Sequence, residues 1–167
     1  MDRPPLTPDP AQGLLRAEHF QVAYATSDPD RARARFAERY GIRHFATLEG
    51  QLPAGGQMRV DLAWVGTVMY ELMHASGPGS AIYMDRLPAG PDFAIRHHHL
   101  GYLIDGEAAW QALMKQVSAS GHRLAHLSEN TGFMTSCFVD APELGHYLEY
   151  IRPEPAGAEF LANVPRN

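Results

Sequence analysis

Four residues combine metal-ligand chemistry with a repeated spacing: His19, Glu71, His99 and Glu149. His19 opens the segment His19-Phe20-Gln21-Val22-Ala23-Tyr24-Ala25, and His99 opens His99-Leu100-Gly101-Tyr102-Leu103-Ile104-Asp105. Both read as strands, because Phe20, Val22 and Tyr24 share one face and Leu100, Tyr102 and Ile104 share the equivalent one. Glu71 lies inside Val68-Met69-Tyr70-Glu71-Leu72-Met73, and Glu149 inside His146-Tyr147-Leu148-Glu149-Tyr150-Ile151. A carboxylate flanked by apolar strand residues is costly to bury unless it is paired or bound to a cation. His19 precedes Glu71 by 52 positions and His99 precedes Glu149 by 50, so one His and one Glu recur at nearly the same interval. If the two halves pack about a pseudo-twofold axis, the four side chains converge on one point. Two imidazoles and two carboxylates suit Ni, Zn, Fe, Mn or Co better than Cu(I), which prefers sulfur. Such a set leaves one or two positions of an octahedral ion open to a bidentate oxygen substrate.

These residues need elements to hold them, and the chain supplies the same series twice. After the first strand, Ser27-Asp28-Pro29 offers an N-cap oxygen and a proline at the first helical position. Ala32, Phe36 and Tyr40 then recur at helical spacing, and Gly41 ends the run. After the second strand, a helix from near Asp105 carries Trp110, Leu113, Met114 and Val117 on one stripe and stops at Gly121. Helices are therefore expected near 28–40 and 106–120. Each is followed by three strands, near 44–48, 58–65 and 67–74 in the first half and near 123–127, 133–139 and 146–152 in the second. Two modules of strand, helix and three strands are expected at 17–75 and 96–153. An N-terminal extension (1–16), a Gly- and Pro-rich linker (76–95) and a tail (154–167) surround them, the tail with a helical turn near 159–162.

Composition limits the alternatives. The chain has 167 residues, 45% hydrophobic, and a formal net charge of −5. No basic stripe is present for a phosphate backbone, so a nucleic-acid partner is not expected. Arg31, Arg33 and Arg35 alternate, as on a solvated helix face. No run of about 18 apolar residues predicts a membrane span. Residues 1–12 lack the apolar core of a secretory signal and are expected to run over the surface. Cys137, the one cysteine, sits in Ser136-Cys137-Phe138-Val139 and reads as a buried thiol of a cytoplasmic protein. Of the nine histidines, His97 is expected on the same strand face as His99, and His98 on the opposite, structural face. His146 reads as packing; His44, His74, His122 and His126 have no registered partner.

With its His…Glu…His…Glu register, this tandem arrangement resembles the vicinal-oxygen-chelate superfamily: glyoxalase I, methylmalonyl-CoA epimerase, extradiol dioxygenases, and bleomycin- and fosfomycin-resistance proteins. The resemblance covers residues 17–153. Its most specific pieces are Arg96-His97-His98-His99-Leu100-Gly101-Tyr102-Leu103-Ile104-Asp105 and Asp140-Ala141-Pro142-Glu143-Leu144-Gly145-His146-Tyr147-Leu148-Glu149-Tyr150. It implies an α+β fold in which tandem βαβββ modules form a curved, mixed eight-stranded sheet around a metal cleft. It makes His99, rather than His98, the second-module ligand, with Glu149 closing the set.

By the same resemblance, one divalent ion would be held by His19, Glu71, His99 and Glu149. The ion would chelate a carbonyl substrate while Glu71 or Glu149 acts as base on the adjacent C–H bond. Gln21, Met69, Met73, His97 and Tyr147 would line the substrate space. Glu71 fills a position that an Fe(II) dioxygenase keeps open. Ala75 stands where a glutathione-dependent glyoxalase would place a polar side chain. Keeping four ligands argues against a sequestering resistance protein. An isomerase, epimerase or glyoxalase-like lyase acting on an acyl thioester or related carbonyl compound is the expected activity, with the site completed within one chain or across a homodimer.

Overall fold

The computed structural model describes residues 7–167. Its elements run β1 (Glu18–Thr26), α1 (Pro29–Tyr40), β2 (Ala46–Gln51), β3 (Gln57–Val65), β4 (Val68–Ser76), α2 (Ala81–Met84), β5 (Ile95–Leu103), α3 (Gly106–Ser120), β6 (Leu124–Asn130), β7 (Met134–Ala141), β8 (His146–Pro153) and α4 (Pro155–Ala162). The series strand, helix, three strands therefore occurs twice, with the short α2 inside the linker. The strands hydrogen-bond in the order β2-β3-β4-β1-β5-β8-β7-β6. β1 pairs with β4 in parallel, whereas β2–β3, β3–β4, β6–β7 and β7–β8 are antiparallel, so this α+β fold has a mixed eight-stranded sheet. The described residues divide into two compact units: residues 7–20 with 101–159, and residues 21–100 with 160–167.

In the unit built on residues 21–100, the Asp28 carboxylate accepts the Arg31 backbone N–H at 3.0 Å and caps α1. Gly41 closes the helix at φ 74°, a left-handed conformation that costs glycine little. Ala32 and Phe36 of α1 bury against Ile42, Ala63 and Leu72, with Tyr24, Tyr70 and Ile95 packed around them. This fixes Tyr24, Tyr70 and Leu72 on the helix-covered face. Alternation then places Gln21, Met69, Glu71 and Met73 on the other. The arginines of α1 are less solvated than their spacing implies. Arg33 reaches the fully buried Asp61 at 3.3 Å and lies over the Phe45 ring, and Arg31 lies over Phe93.

In the other unit, α3 buries Trp110, Leu113 and Val117. Tyr102 stacks on Tyr150, whose O–H donates to the Leu14 carbonyl at 2.8 Å. The N-terminal expectation needs correction here. Residues 1–6 lie outside the described residues, but a 3₁₀ turn at Pro10–Gln12 packs against α3, and Pro10 and Leu14 are buried. Apolar proline and leucine rings and chains, not length, decide that the segment is held down. Cys137 is buried as expected, and desolvation pushes its thiol up to about 12. Among the described residues, no helix is long and apolar enough to cross a membrane.

Helix α4 contributes a test of packing. A Cβ added at Gly157 would stand 2.1 Å from the Phe133 carbonyl oxygen, a backbone atom that cannot turn aside. Gly→Ala inside a helix usually stabilises by about 1 kcal/mol. Here Gly157→Ala is expected to destabilise by about 1–3 kcal/mol, as overpacking does, and urea unfolding measures it.

Candidate functional site

Glu71 sits mid-strand in β4, 7% exposed, opposite Leu62 of β3 and Ala23 of β1. A carboxylate this buried requires partners, and two side chains of its own unit supply them. Gln21, 2% exposed on the neighbouring β1, donates its side-chain N–H to Glu71 Oε2 in a short hydrogen bond. His99 of β5, 1% exposed, places Nε2 3.8 Å from the same oxygen. That separation is too long for a hydrogen bond. It falls within the reach of two ligands on one ion, each about 2.0–2.2 Å from it. The donor types and their burial therefore fit a divalent cation at this point.

Behind His99 lies His98, which exposes none of its surface. His98 Nδ1 is 2.9 Å from Nδ1 of His99, and its Nε2 is 2.9 Å from the Ile82 carbonyl of α2. Burial first, and then the neighbouring His99, lower the His98 pKa to about 3, so this imidazole is neutral at ordinary pH. The expectation that His98 and His99 point to opposite faces is not met. Ile95 packs with the α1 core, and His97 meets the Tyr24 ring at 5.8 Å on that same side. His99, two residues on, faces Glu71 instead. Strict alternation is thus broken between His97 and His99, where His97 Nε2 donates to the His99 carbonyl at 3.1 Å. His97 lies on the side of Tyr24.

In the unit containing β6–β8, Glu149 is 8% exposed and stands opposite Phe138, which is itself opposite His126 of β6. The three residues follow one another across three strands on one face. Burial lowers the His126 pKa, and the negative charge of Glu149 opposes that shift. Sequence reasoning assigned His126 nothing, and a cross-strand register between β6 and β8 is not readable from local pattern. Tyr147, 2% exposed, stacks on Phe138 with centroids 5.7 Å apart. His19, at the exposed start of β1, sets its ring 5.4 Å from that of Tyr102. Met69 and Met73 expose no surface and flank Glu71 on the same face of β4.

No protein-family model matches the chain, and no curated protein matches it. Solved structures do. A methylmalonyl-CoA epimerase from Mycobacterium tuberculosis is 16% identical, with a TM-score of 0.56 over 85% of this chain and 91% of that one. A Streptomyces coelicolor methylmalonyl-CoA epimerase variant in complex with 2-nitronate-propionyl-CoA is 15% identical, with a TM-score of 0.58 over 84% of this chain and 96% of that one. A methylmalonyl-CoA epimerase holding methylmalonyl-CoA gives the same 15% and 0.58. The likeness extends over most of both chains, and it establishes that this protein shares the fold of these epimerases, the vicinal-oxygen-chelate fold.

Proposed function

We propose that the chain is a metal-dependent enzyme that removes and returns the proton on the carbon next to a substrate carbonyl, as an epimerase or isomerase of acyl thioesters does. The observation that carries this reading is Glu71: a buried carboxylate, tethered by Gln21 and facing the His99 imidazole. Two carboxylates and two imidazoles in repeat register, Glu71 with His19 and Glu149 with His99, make the proposed ligand set. Glu71 and His99, in one unit, and Glu149, in the other, are each buried residues of metal-ligating type. The fold is shared with epimerases whose structures contain acyl-CoA ligands, which favours an acyl thioester as substrate class.

A bound divalent ion would supply electrostatic stabilisation to the substrate oxygen as negative charge develops there. The chain's own residues do the rest. Glu71 or Glu149 accepts the proton from the α-carbon on a carboxylate oxygen; its return to the same face gives exchange, and epimerisation requires that a protonated group on the opposite face deliver the proton there. General-base help of this kind contributes about 10²–10⁴-fold. The Gln21 N–H holds one oxygen of Glu71 in place, so that the carboxylate meets the substrate pre-oriented. Met69 and Met73 present apolar side chains next to Glu71, and Tyr147 does so next to Glu149, which keeps water away from each carboxylate.

The test is incubation of the metal-loaded protein in D₂O with 2-methyl acyl-CoA thioesters, following loss of the α-proton by NMR. The expected result is exchange that stops on chelation and resumes on metal addition. Oxygen uptake with catechols and Fe(II), without any deuterium exchange, would replace this reading with a dioxygenase.

A further inference from the structure

We infer that His98 and helix α2 position the metal-binding nitrogen: a relay Ile82 C=O···H–Nε2 His98 Nδ1···H–Nδ1 His99 fixes the His99 tautomer and aims its Nε2 lone pair at Glu71. The inference rests on the metal reading above for its consequence, but its geometry stands independently.

His98 Nε2 faces the Ile82 carbonyl oxygen at 2.9 Å and, farther off, Asp85 Oδ1 at 3.9 Å. A carbonyl and a carboxylate only accept, so His98 carries its hydrogen on Nε2. In the neutral ring Nδ1 is then an acceptor, and its neighbour at 2.9 Å is His99 Nδ1. Two ring nitrogens at that distance need one hydrogen between them, and His98 cannot supply it. His99 therefore donates from Nδ1, which leaves its lone pair on Nε2, the atom 3.8 Å from Glu71 Oε2. Metal-ligating histidines characteristically donate their other ring N–H to a fixed acceptor, and loss of that acceptor costs about 10–100-fold in metal affinity. Here the acceptor is a second histidine, anchored in turn by a backbone carbonyl of the linker.

The three-histidine run thus acquires a division of labour. His99 is the ligand, and His98 acts only through it as a positioning residue. The short α2 matters because Ser80 N–H and O–H both bond to Gly77 O, which anchors the turn that sets the Ile82 carbonyl.

The experiment is long-range ¹H–¹⁵N correlation NMR of the histidine rings in the metal-free, full-length protein, with Co(II) titration alongside. The expected pattern is Nε2–H for His98 and Nδ1–H for His99. His98→Phe, which keeps ring volume but removes the acceptor, should lose the pure Nδ1–H form of His99 and weaken Co(II) binding about 10–100-fold. His98→Asn, whose carbonyl oxygen falls near the Nδ1 position, should restore both to near wild type. A merely structural role predicts instead that His98→Asn fails like His98→Phe and that thermal stability falls with it. An Nε2–H tautomer for His99 in the wild-type protein, or unchanged Co(II) binding in His98→Phe, overturns the relay. Absence of Co(II) binding by the wild-type protein would overturn the metal reading, while the ring tautomers would still decide the relay.

Discussion

Glu71→Ala slows α-proton exchange by about 10²–10⁴-fold if Glu71 is the base. It also weakens Co(II) binding by more than the about 10–100-fold typical of losing a supporting group. Both effects have one origin: a carboxylate that Gln21 tethers and that faces His99 is removed. Glu71→Gln separates ligand from base. The amide keeps the side-chain shape and an oxygen donor but cannot take a proton at neutral pH. Metal binding that recovers without exchange assigns the base to Glu71. Recovery of both assigns it to Glu149. The readouts are exchange by NMR in D₂O and Co(II) titration by absorbance, measured on the same preparations.

Asp61→Ala is expected to cost about 3 kcal/mol of folding stability, measured by urea unfolding, while metal affinity changes little. Asp61 exposes no surface, and its carboxylate meets Arg33 at 3.3 Å, Arg59 at 3.1 Å and the Thr47 hydroxyl at 2.6 Å. Removing one partner of a buried ion pair typically costs about 3–5 kcal/mol, because the opposite charge is left desolvated. The lower end applies because Arg33 and Arg59 retain 34% and 20% exposure and can turn partly to water. Asp30 stays bonded to Arg59 at 2.9 Å and softens the loss further. Asp61→Asn, which can still accept from Thr47 and Arg59, should lose less. Equal losses for both variants would indicate that the negative charge, which both remove, sets the stability here, and not the hydrogen bonds that Asn can keep.

The contrast between these two buried carboxylates shows what the sequence could and could not say. Glu71 was legible because it recurs: its strand, its His partner and their interval all repeat around Glu149. Asp61 has no such echo, and its partners Arg33 and Thr47 come from α1 and β2, so only the tertiary fold brings them together. Helices α1 and α3 were legible to within a residue or two, because Pro29 and Gly41 punctuate α1 and Gly121 ends α3. β2 was placed early: the strand runs Ala46–Gln51, and residues 43–44 instead bond to the Asn167 side chain, a pairing 123–124 residues away in sequence. The histidine run was read with strict period-two alternation, which the backbone abandons between His97 and His99. That irregularity hid both the contact of His97 with Tyr24 and the bond between His98 and His99. Helix α2, four residues inside a Gly- and Pro-rich linker, carries too little periodicity to be seen.

The most direct test of the proposed site is anomalous diffraction from crystals of the full-length protein grown with Co(II). One strong peak per site is expected, bonded to His99 Nε2 and to a Glu71 oxygen, with His99 Nδ1 turned toward His98. Crystals with Co(II) bound elsewhere, or with no peak at these two atoms under saturating Co(II), would contradict the proposed site.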